Sequence, residues 1–172
     1  MEPPYTTFMD QWPPQIRNLP TFEDENHFRN YLAKKLINEG WIITQKEKPA
    51  LNASDRCDLI IYDKQNDFNV FLELKTPESF NDITKGLSQL IRYRKLDWGI
   101  KNLNLFAFIT PVGISEGAIR FFWRFGFGVG SLDTETIRFN EGMSFHTRYH
   151  WTRSKEKLQR TIELMQKLAH EA

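Results

Sequence analysis

The sequence has one cysteine, no long apolar run and almost no net charge, and each scarcity excludes a class of protein. The single cysteine, Cys57, rules out an internal disulfide and a cysteine-rich zinc or iron–sulfur site within one chain. No apolar segment reaches the roughly 20 residues that span a membrane, and residues 1–10 lack the charged-then-apolar pattern of a signal peptide. We therefore expect a soluble, cytoplasmic protein without a membrane partner, in which oxygen atoms hold any metal ion.

The remaining composition is typical of a folded domain. Apolar residues make up 40% of the 172 residues and aromatic residues 14%, which is enough for a substantial core. The length is that of one domain. The formal net charge of +1 neither indicates nor excludes a nucleic-acid partner, because a local basic patch matters more than the sum.

Proline and apolar periodicity divide the chain into an arm and one domain. Five of the eight prolines lie in residues 1–20, which predicts an extended N-terminal arm. Residues 21–172 are predicted to form a single domain. Its core should extend over about 21–132, and an amphipathic C-terminal helix over about 154–170.

Helices and strands are predicted to alternate within that domain. A first helix should follow Pro20, where Thr21 and Asp24 resemble a capping box, and continue to Gly40. A second helix is predicted over about 82–101. The core strands are predicted at 41–44, 57–62, 69–75 and 103–110. The order is therefore α-β-β-β-α-β, followed by a third helix that Ser115 caps and by short strands at 129–132 and 136–139.

Two acidic residues lie on neighbouring predicted strands. The period of two along Val70–Lys75 places Glu73 and Lys75 on one face, and Asp58 begins the apolar run of the preceding strand. Two carboxylates at close range repel each other unless a cation lies between them, and oxygen ligands suit Mg²⁺ or Mn²⁺. The simpler alternatives are a solvated ion pair between Glu73 and Lys75 and a turn role for Asp58.

Further polar residues lie on the two predicted core helices. Glu25 is inside the apolar stripe of the first helix and should point toward the sheet, although a helix-start role is an equal alternative. The polar face of the second helix carries Lys85, Gln89, Arg92 and Tyr93. That face is either solvated or next to the carboxylates. In the second case Gln89 could hold a water or a phosphate, and Lys85 and Arg92 could bind a nucleic-acid backbone.

Together these residues resemble the PD-(D/E)XK nuclease superfamily over about residues 21–110. The resemblance depends on Glu25, Gly40-Trp41, Asp58, Glu73-Leu74-Lys75 and Gln89-Leu90-Ile91-Arg92-Tyr93. The last segment is similar to the Gln-x-x-x-Tyr motif of the RecB-like and exonuclease branches. Cys57 replaces the proline that names the motif, and Asp55 competes with Asp58 for the acidic position.

The resemblance implies a restriction-endonuclease-like core, related to RecB-like nucleases and Holliday-junction resolvases, with a central mixed sheet flanked by helices and a C-terminal extension. The implied metal ligands for Mg²⁺ or Mn²⁺ are Asp58, Glu73, the backbone carbonyl of Leu74 and Glu25. The implied catalytic residues are Asp58, Glu73, Lys75, Glu25 and Gln89, where Lys75 orients or activates the attacking water. The implied nucleic-acid-binding residues are Lys85, Arg92 and Tyr93, although Tyr93 could instead support the site together with Gln89.

The resemblance predicts a metal-dependent nuclease that acts on DNA in repair or recombination, or in a mobile element or defence system. An inactive nuclease fold that serves as a nucleic-acid-binding or protein adaptor is one alternative, and an RNA nuclease is another. The aromatic segment 121–127 is expected to be core rather than a base-stacking surface. The apolar stripe of the C-terminal helix leaves a homodimer open.

Overall fold

The computed structural model describes residues 20–51, 54–64, 67–76, 79–100, 103–139, 144–146, 150–151, 160, 163–164 and 167. The N-terminal arm predicted over residues 1–20 and the C-terminal helix predicted over about 154–170 lie almost wholly outside these residues. Both therefore stay predictions.

In the described part of the chain, eight strands form a mixed sheet, with its strands in chain order. The strands are β1 (Ile42–Pro49), β2 (Arg56–Asp63), β3 (Phe68–Leu74), β4 (Leu103–Thr110), β5 (Gly128–Ser131), β6 (Thr136–Arg138), β7 (Ser144–His146) and β8 (His150–Trp151). The first three strands pair antiparallel, β3, β4 and β5 are parallel, and the later neighbours are antiparallel again. β1 is longer than predicted, and β7 and β8 were not predicted.

Within residues 20–139, leaving aside the short gaps, the helices that accompany the sheet are α1 (Glu25–Asn38), α2 (Phe80–Tyr93) and α3 (Glu116–Arg124). The predicted capping role of Thr21 is wrong, because Asp24 is the N-cap of α1 and its side chain accepts a hydrogen bond from the His27 amide. The predicted end of α2 near residue 101 is also wrong. Trp98 lies beyond the helix, where its indole N–H donates to the Tyr93 carbonyl at 2.8 Å.

The helices cover opposite faces of the sheet. α1 packs on one face through Phe28, Leu32 and Leu36, and α2 and α3 pack on the other. β3 is buried along its whole length, with Val70, Leu72 and Leu74 toward α1 and Phe71 toward α2, as the period of two predicts. Each buried Phe or Leu side chain contributes about 1.5–3 kcal/mol to the free energy of unfolding, so packing on both faces stabilises the sheet.

Gly86 brings α2 unusually close to β4. A Cβ atom at this position would lie only 2.2 Å from the ring of Phe108, so a larger residue would push the helix away. Gln89 and Tyr93 follow one and two turns later, and the contact therefore fixes how near they come to the sheet.

The aromatic segment 121–127 is mainly core, as expected. Phe122 and Phe127 are fully buried, whereas Phe121 is 48% exposed. The predicted fold class is confirmed: the core is α/β, in the order α-β-β-β-α-β, with a central mixed sheet flanked by helices. No helix in the described ranges is long and apolar enough to cross a membrane.

Candidate active site

The structure brings Asp58 and Glu73 together at neighbouring positions of β2 and β3. Leu59 pairs with Leu72, and the same antiparallel register places Asp58 opposite Glu73. The Asp58 carboxylate accepts a hydrogen bond from the Leu74 amide at 2.8 Å, which fixes it against the end of β3. The convergence of these two carboxylates follows from strand alternation and a short connection between the strands.

Lys75 lies between two carboxylates from different elements. Its Nζ is 3.3 Å from Glu73 Oε1 and 3.5 Å from Glu25 Oε1. Glu73 is 2% exposed, so its ion pair with Lys75 is not the solvated surface pair that was the simpler alternative. Glu25 combines both of its predicted roles, because it lies in the first turn of α1 and also points toward the site.

The close approach of the two buried acids disfavours their charged forms. Burial, and then the neighbouring Asp58, raise the pKa of Glu73 to about 8. Burial likewise raises the pKa of Asp58, against the opposing effect of the Leu74 amide. A proton therefore remains on this pair near neutral pH unless a cation replaces it.

The Tyr93 hydroxyl is a hydrogen-bond donor to Glu73, with a second acceptor nearby. It lies 2.7 Å from the Arg56 carbonyl oxygen and 2.8 Å from Glu73 Oε2, and both are hydrogen-bond acceptors when Glu73 is ionised. A hydroxyl has one proton and can donate to only one of them. Donation to Glu73 favours its charged carboxylate and so lowers the pKa of that acid, against the larger effect of burial.

Lys75 keeps its proton in this environment. Burial alone would lower the pKa of its ammonium, but the carboxylates of Glu73 and Glu25 outweigh burial and raise the pKa. The side chain is therefore a hydrogen-bond donor and a positive charge near neutral pH.

A divalent ion held by oxygen fits the chemistry of these donors. Asp58 and Glu73 are adjacent, and a divalent charge would remove the repulsion that raises both pKa values. Within the described part of the chain, no group of three or more His, Cys, Asp or Glu residues is arranged to hold a metal. Mg²⁺ commonly binds through one or two carboxylates and keeps several waters, so two acids are sufficient.

α2 contributes Tyr93 to the site, and Gln89 lies one turn earlier on the same helix. Tyr93 is 2% exposed, so the prediction that it contacts nucleic acid is corrected: it supports Glu73 from the interior. Gln89 has a buried Oε1 atom with no hydrogen-bond partner in the structure. Such an atom is costly unless water or a ligand satisfies it.

The two remaining predicted residues, Lys85 and Arg92, lie at the protein surface. Lys85 is exposed on α2. Arg92 is also exposed and pairs with Asp55, with 2.7 Å between Arg92 Nη2 and Asp55 Oδ1. Asp55 therefore belongs to this outward-facing pair, and Asp58 is the acid that joins Glu73.

Cys57 occupies the position next to Asp58 as a buried, uncharged residue. Its thiol lies against the backbone carbonyls of Leu59 and Leu72. Burial, and then the charge of Glu73, raise the pKa of this thiol well above its usual value. Cys57 therefore packs beneath the site as a neutral thiol near neutral pH.

Arg29 is the site residue that sequence reasoning missed. It lies one turn after Glu25 on α1, and its Nη1 is 3.9 Å from Asp58 Oδ1. The helical spacing that selected Glu25 also selects Arg29, because both interrupt the apolar stripe next to Phe28 and Leu32. A charged residue inside that stripe was the available signal.

Comparison with known proteins leaves the chain without an assigned family. No family model matches it, and no curated protein sequence matches it. A similar solved structure is a repair endonuclease from Pyrococcus abyssi, with a TM-score of 0.44 and 19% sequence identity over 69% of this chain and 50% of that one. The chain thus spans about half the length of that protein. The fold assignment depends on the element order and strand pairing described above, not on this distant likeness.

Proposed function

We propose that this protein is a divalent-metal-dependent nuclease that hydrolyses phosphodiester bonds of DNA. The observation that carries the proposal is the buried pair Asp58 and Glu73 with the Lys75 ammonium 3.3 Å from Glu73. Buried acids with raised pKa values next to a fixed cation are costly for stability and are characteristic of functional sites.

In this proposal, Asp58, Glu73 and the backbone carbonyl of Leu74 hold Mg²⁺ or Mn²⁺, and Glu25 balances the charge of Lys75. When bound, the divalent ion neutralises charge on the phosphodiester and lowers the pKa of a water molecule. Lys75 donates a hydrogen bond that orients the attacking water. The Gln89 amide supplies the matching acceptor from α2.

The reaction is a hydrolysis. The oxygen of water forms a bond to phosphorus, the bond from phosphorus to one sugar oxygen breaks, and that oxygen takes up a proton. The Lys75 ammonium stabilises the negative charge that develops during this exchange. Lys85 and Arg92, both exposed on α2, are proposed to contact the nucleic-acid backbone on either side of the cleaved bond.

Cleavage of a panel of labelled substrates tests this proposal. The panel contains single-stranded, duplex, branched and circular DNA and RNA, each with Mg²⁺, Mn²⁺ or a chelator. We expect metal-dependent cutting of DNA that Asp58→Ala and Lys75→Ala both abolish. Lys34→Ala, which removes an exposed lysine of α1, should cut at the natural rate and is the matched control.

Each other outcome has a distinct meaning. Cutting of RNA alone would support a nuclease whose substrate is RNA and not DNA. Cutting that survives in a chelator would disprove metal dependence. No cutting of any substrate, together with no heat of Mn²⁺ binding by calorimetry, would overturn the enzyme and favour the adaptor.

A further inference from the structure

Arg29 reaches the candidate active site from the helix side. Its guanidinium Nη1 is 3.9 Å from Asp58 Oδ1, and its side chain is only 11% exposed. The other Asp58 oxygen accepts from the Leu74 amide, and Asn26 also contacts the guanidinium within α1. Arg29 is thus confined beside the one carboxylate oxygen of Asp58 that the β3 backbone does not occupy.

The charge of the site becomes positive when a divalent ion is added. Three acids (Glu25, Asp58 and Glu73) and two cations (Arg29 and Lys75) give a formal charge of −3 + 2 = −1 when all are ionised. A divalent ion changes this sum to +1, which complements the single negative charge of a phosphodiester. Without Arg29 the loaded site would be neutral, so this residue supplies the charge that favours the substrate.

We propose that Arg29 is a substrate-binding residue of the active site. It pairs with Asp58 in the metal-free protein, and it binds a non-bridging oxygen of the phosphodiester once a divalent ion occupies Asp58. Guanidinium groups bind phosphate oxygens through paired, charge-assisted hydrogen bonds, which makes arginine suited to this exchange. The inference rests on the proposed function in one respect, that the ion binds Asp58 and Glu73.

A purely structural role for Arg29 predicts a different response to mutation. If the guanidinium only fastens α1 to β2, its loss should loosen Asp58 and weaken metal binding and catalysis together. If it competes with the metal for Asp58 and then binds phosphate, its loss should strengthen metal binding and weaken catalysis. A charge within about 4–6 Å shifts such equilibria by tenfold or more, so the two responses are measurably different.

The test is Mn²⁺ titration calorimetry on protein without nucleic acid, combined with steady-state cleavage of the best substrate. For Arg29→Gln we expect Mn²⁺ to bind several-fold to about tenfold more tightly and kcat/KM to fall by at least about tenfold. Lys35→Gln, on the same helix but paired with Glu39 and Glu135, is the control and should change neither quantity.

Arg29→Lys keeps the positive charge but lacks the planar guanidinium group. This variant tests the inference even if Arg29→Gln fails to fold. It should bind Mn²⁺ as the natural protein does and lose several-fold in kcat/KM. Weaker Mn²⁺ binding by Arg29→Gln, or cleavage that neither variant changes, would overturn the proposed role of Arg29 but not the proposed nuclease function. Absence of Mn²⁺ binding and of cleavage in the natural protein would overturn both.

Discussion

Asp55 and Asp58 are three residues apart at the start of β2, yet they belong to clusters with different partners. Asp55 pairs with Arg92, whose side chain is 63% exposed, and together they form the outer pair. Asp58 lies with Glu73, Lys75, Glu25 and Arg29 in the inner cluster, where Glu73 is 2% exposed. The two aspartates therefore differ in their partners and not in their own exposure: Asp55 pairs with an exposed cation, and Asp58 lies next to a buried carboxylate, while their side chains are 12% and 21% exposed.

The difference shows that spacing alone does not identify a functional acid. In the outer pair, water screens the charge of the exposed Arg92, so the pair is expected to contribute about 1 kcal/mol or less to the free energy of unfolding. In the inner cluster, burial and the repulsion from Asp58 raise the pKa of Glu73 to about 8. A bound cation would therefore remove a large electrostatic cost of ionising the two acids. Chemistry is expected where the ionised state is costly.

The largest expected effect separates the two aspartates directly. Asp58→Asn keeps the size of the side chain but removes the proposed ligand charge, so Mn²⁺ binding should disappear and cleavage should fall by at least about 100-fold. Asp55→Asn, the matched change in the outer pair, should leave both within about twofold of the natural protein. Calorimetry and cleavage rates measure the contrast, and equal losses in the two variants would contradict it.

A second expectation concerns the proton on Glu73. Because metal must displace this proton, Mn²⁺ affinity should rise about tenfold per pH unit between pH 6 and pH 8 and level off above about 8. Calorimetry across this range measures the slope. In Asp55→Asn the same slope should remain, since the outer pair takes no part.

The sign of the stability effect follows from the same proton. The pKa of Glu73 is raised on folding, so the folded protein binds more protons than the unfolded chain between the usual glutamate pKa of 4.5 and about 8. Stability of the metal-free protein should therefore fall as pH rises through this window. Denaturant unfolding in a chelator should show the decline, and Glu73→Gln should flatten it. A natural protein equally stable at pH 5 and pH 8 would count against a proton held on Glu73.

The smallest expected effect is in the outer pair. A double-mutant cycle with Asp55→Asn and Arg92→Gln should give a coupling free energy below about 1 kcal/mol, and added salt should reduce it further. Denaturant unfolding measures the four proteins. A coupling that is large and insensitive to salt would mean that this pair is as sheltered as the inner cluster.

The core of the fold could be predicted because its signals are local. β3 alternates between the two faces of the sheet, and the stripe of Phe28, Leu32 and Leu36 identifies the buried side of α1. The end of α2 could not be predicted, because Trp98 continues the helical spacing although it packs on Tyr93 after the helix has ended. Apolar spacing indicates which residues are buried but not whether they are helical, because an aromatic residue in a turn can be buried equally well.

The candidate site was predictable to the extent that each residue lies on an apolar element. Asp58, Glu73 and Lys75 stand out because charges are rare in buried strands. The contact between Tyr93 and Glu73 depends on how α2 crosses the sheet, which no local pattern specifies. Arg29 was overlooked because a basic residue on a helix usually reaches solvent.

The contact between Gly86 and Phe108 has a consequence for protein engineering. A scaffold that receives Asp58, Glu73 and Lys75 on two transplanted strands would acquire the charged residues only. It would lack the close approach of α2 to the sheet that lets Tyr93 reach Glu73. A library that randomises position 86 would therefore lose sites whose charged residues are all intact. Residue 86 and its aromatic neighbour belong to the smallest unit that can be moved between proteins as one piece.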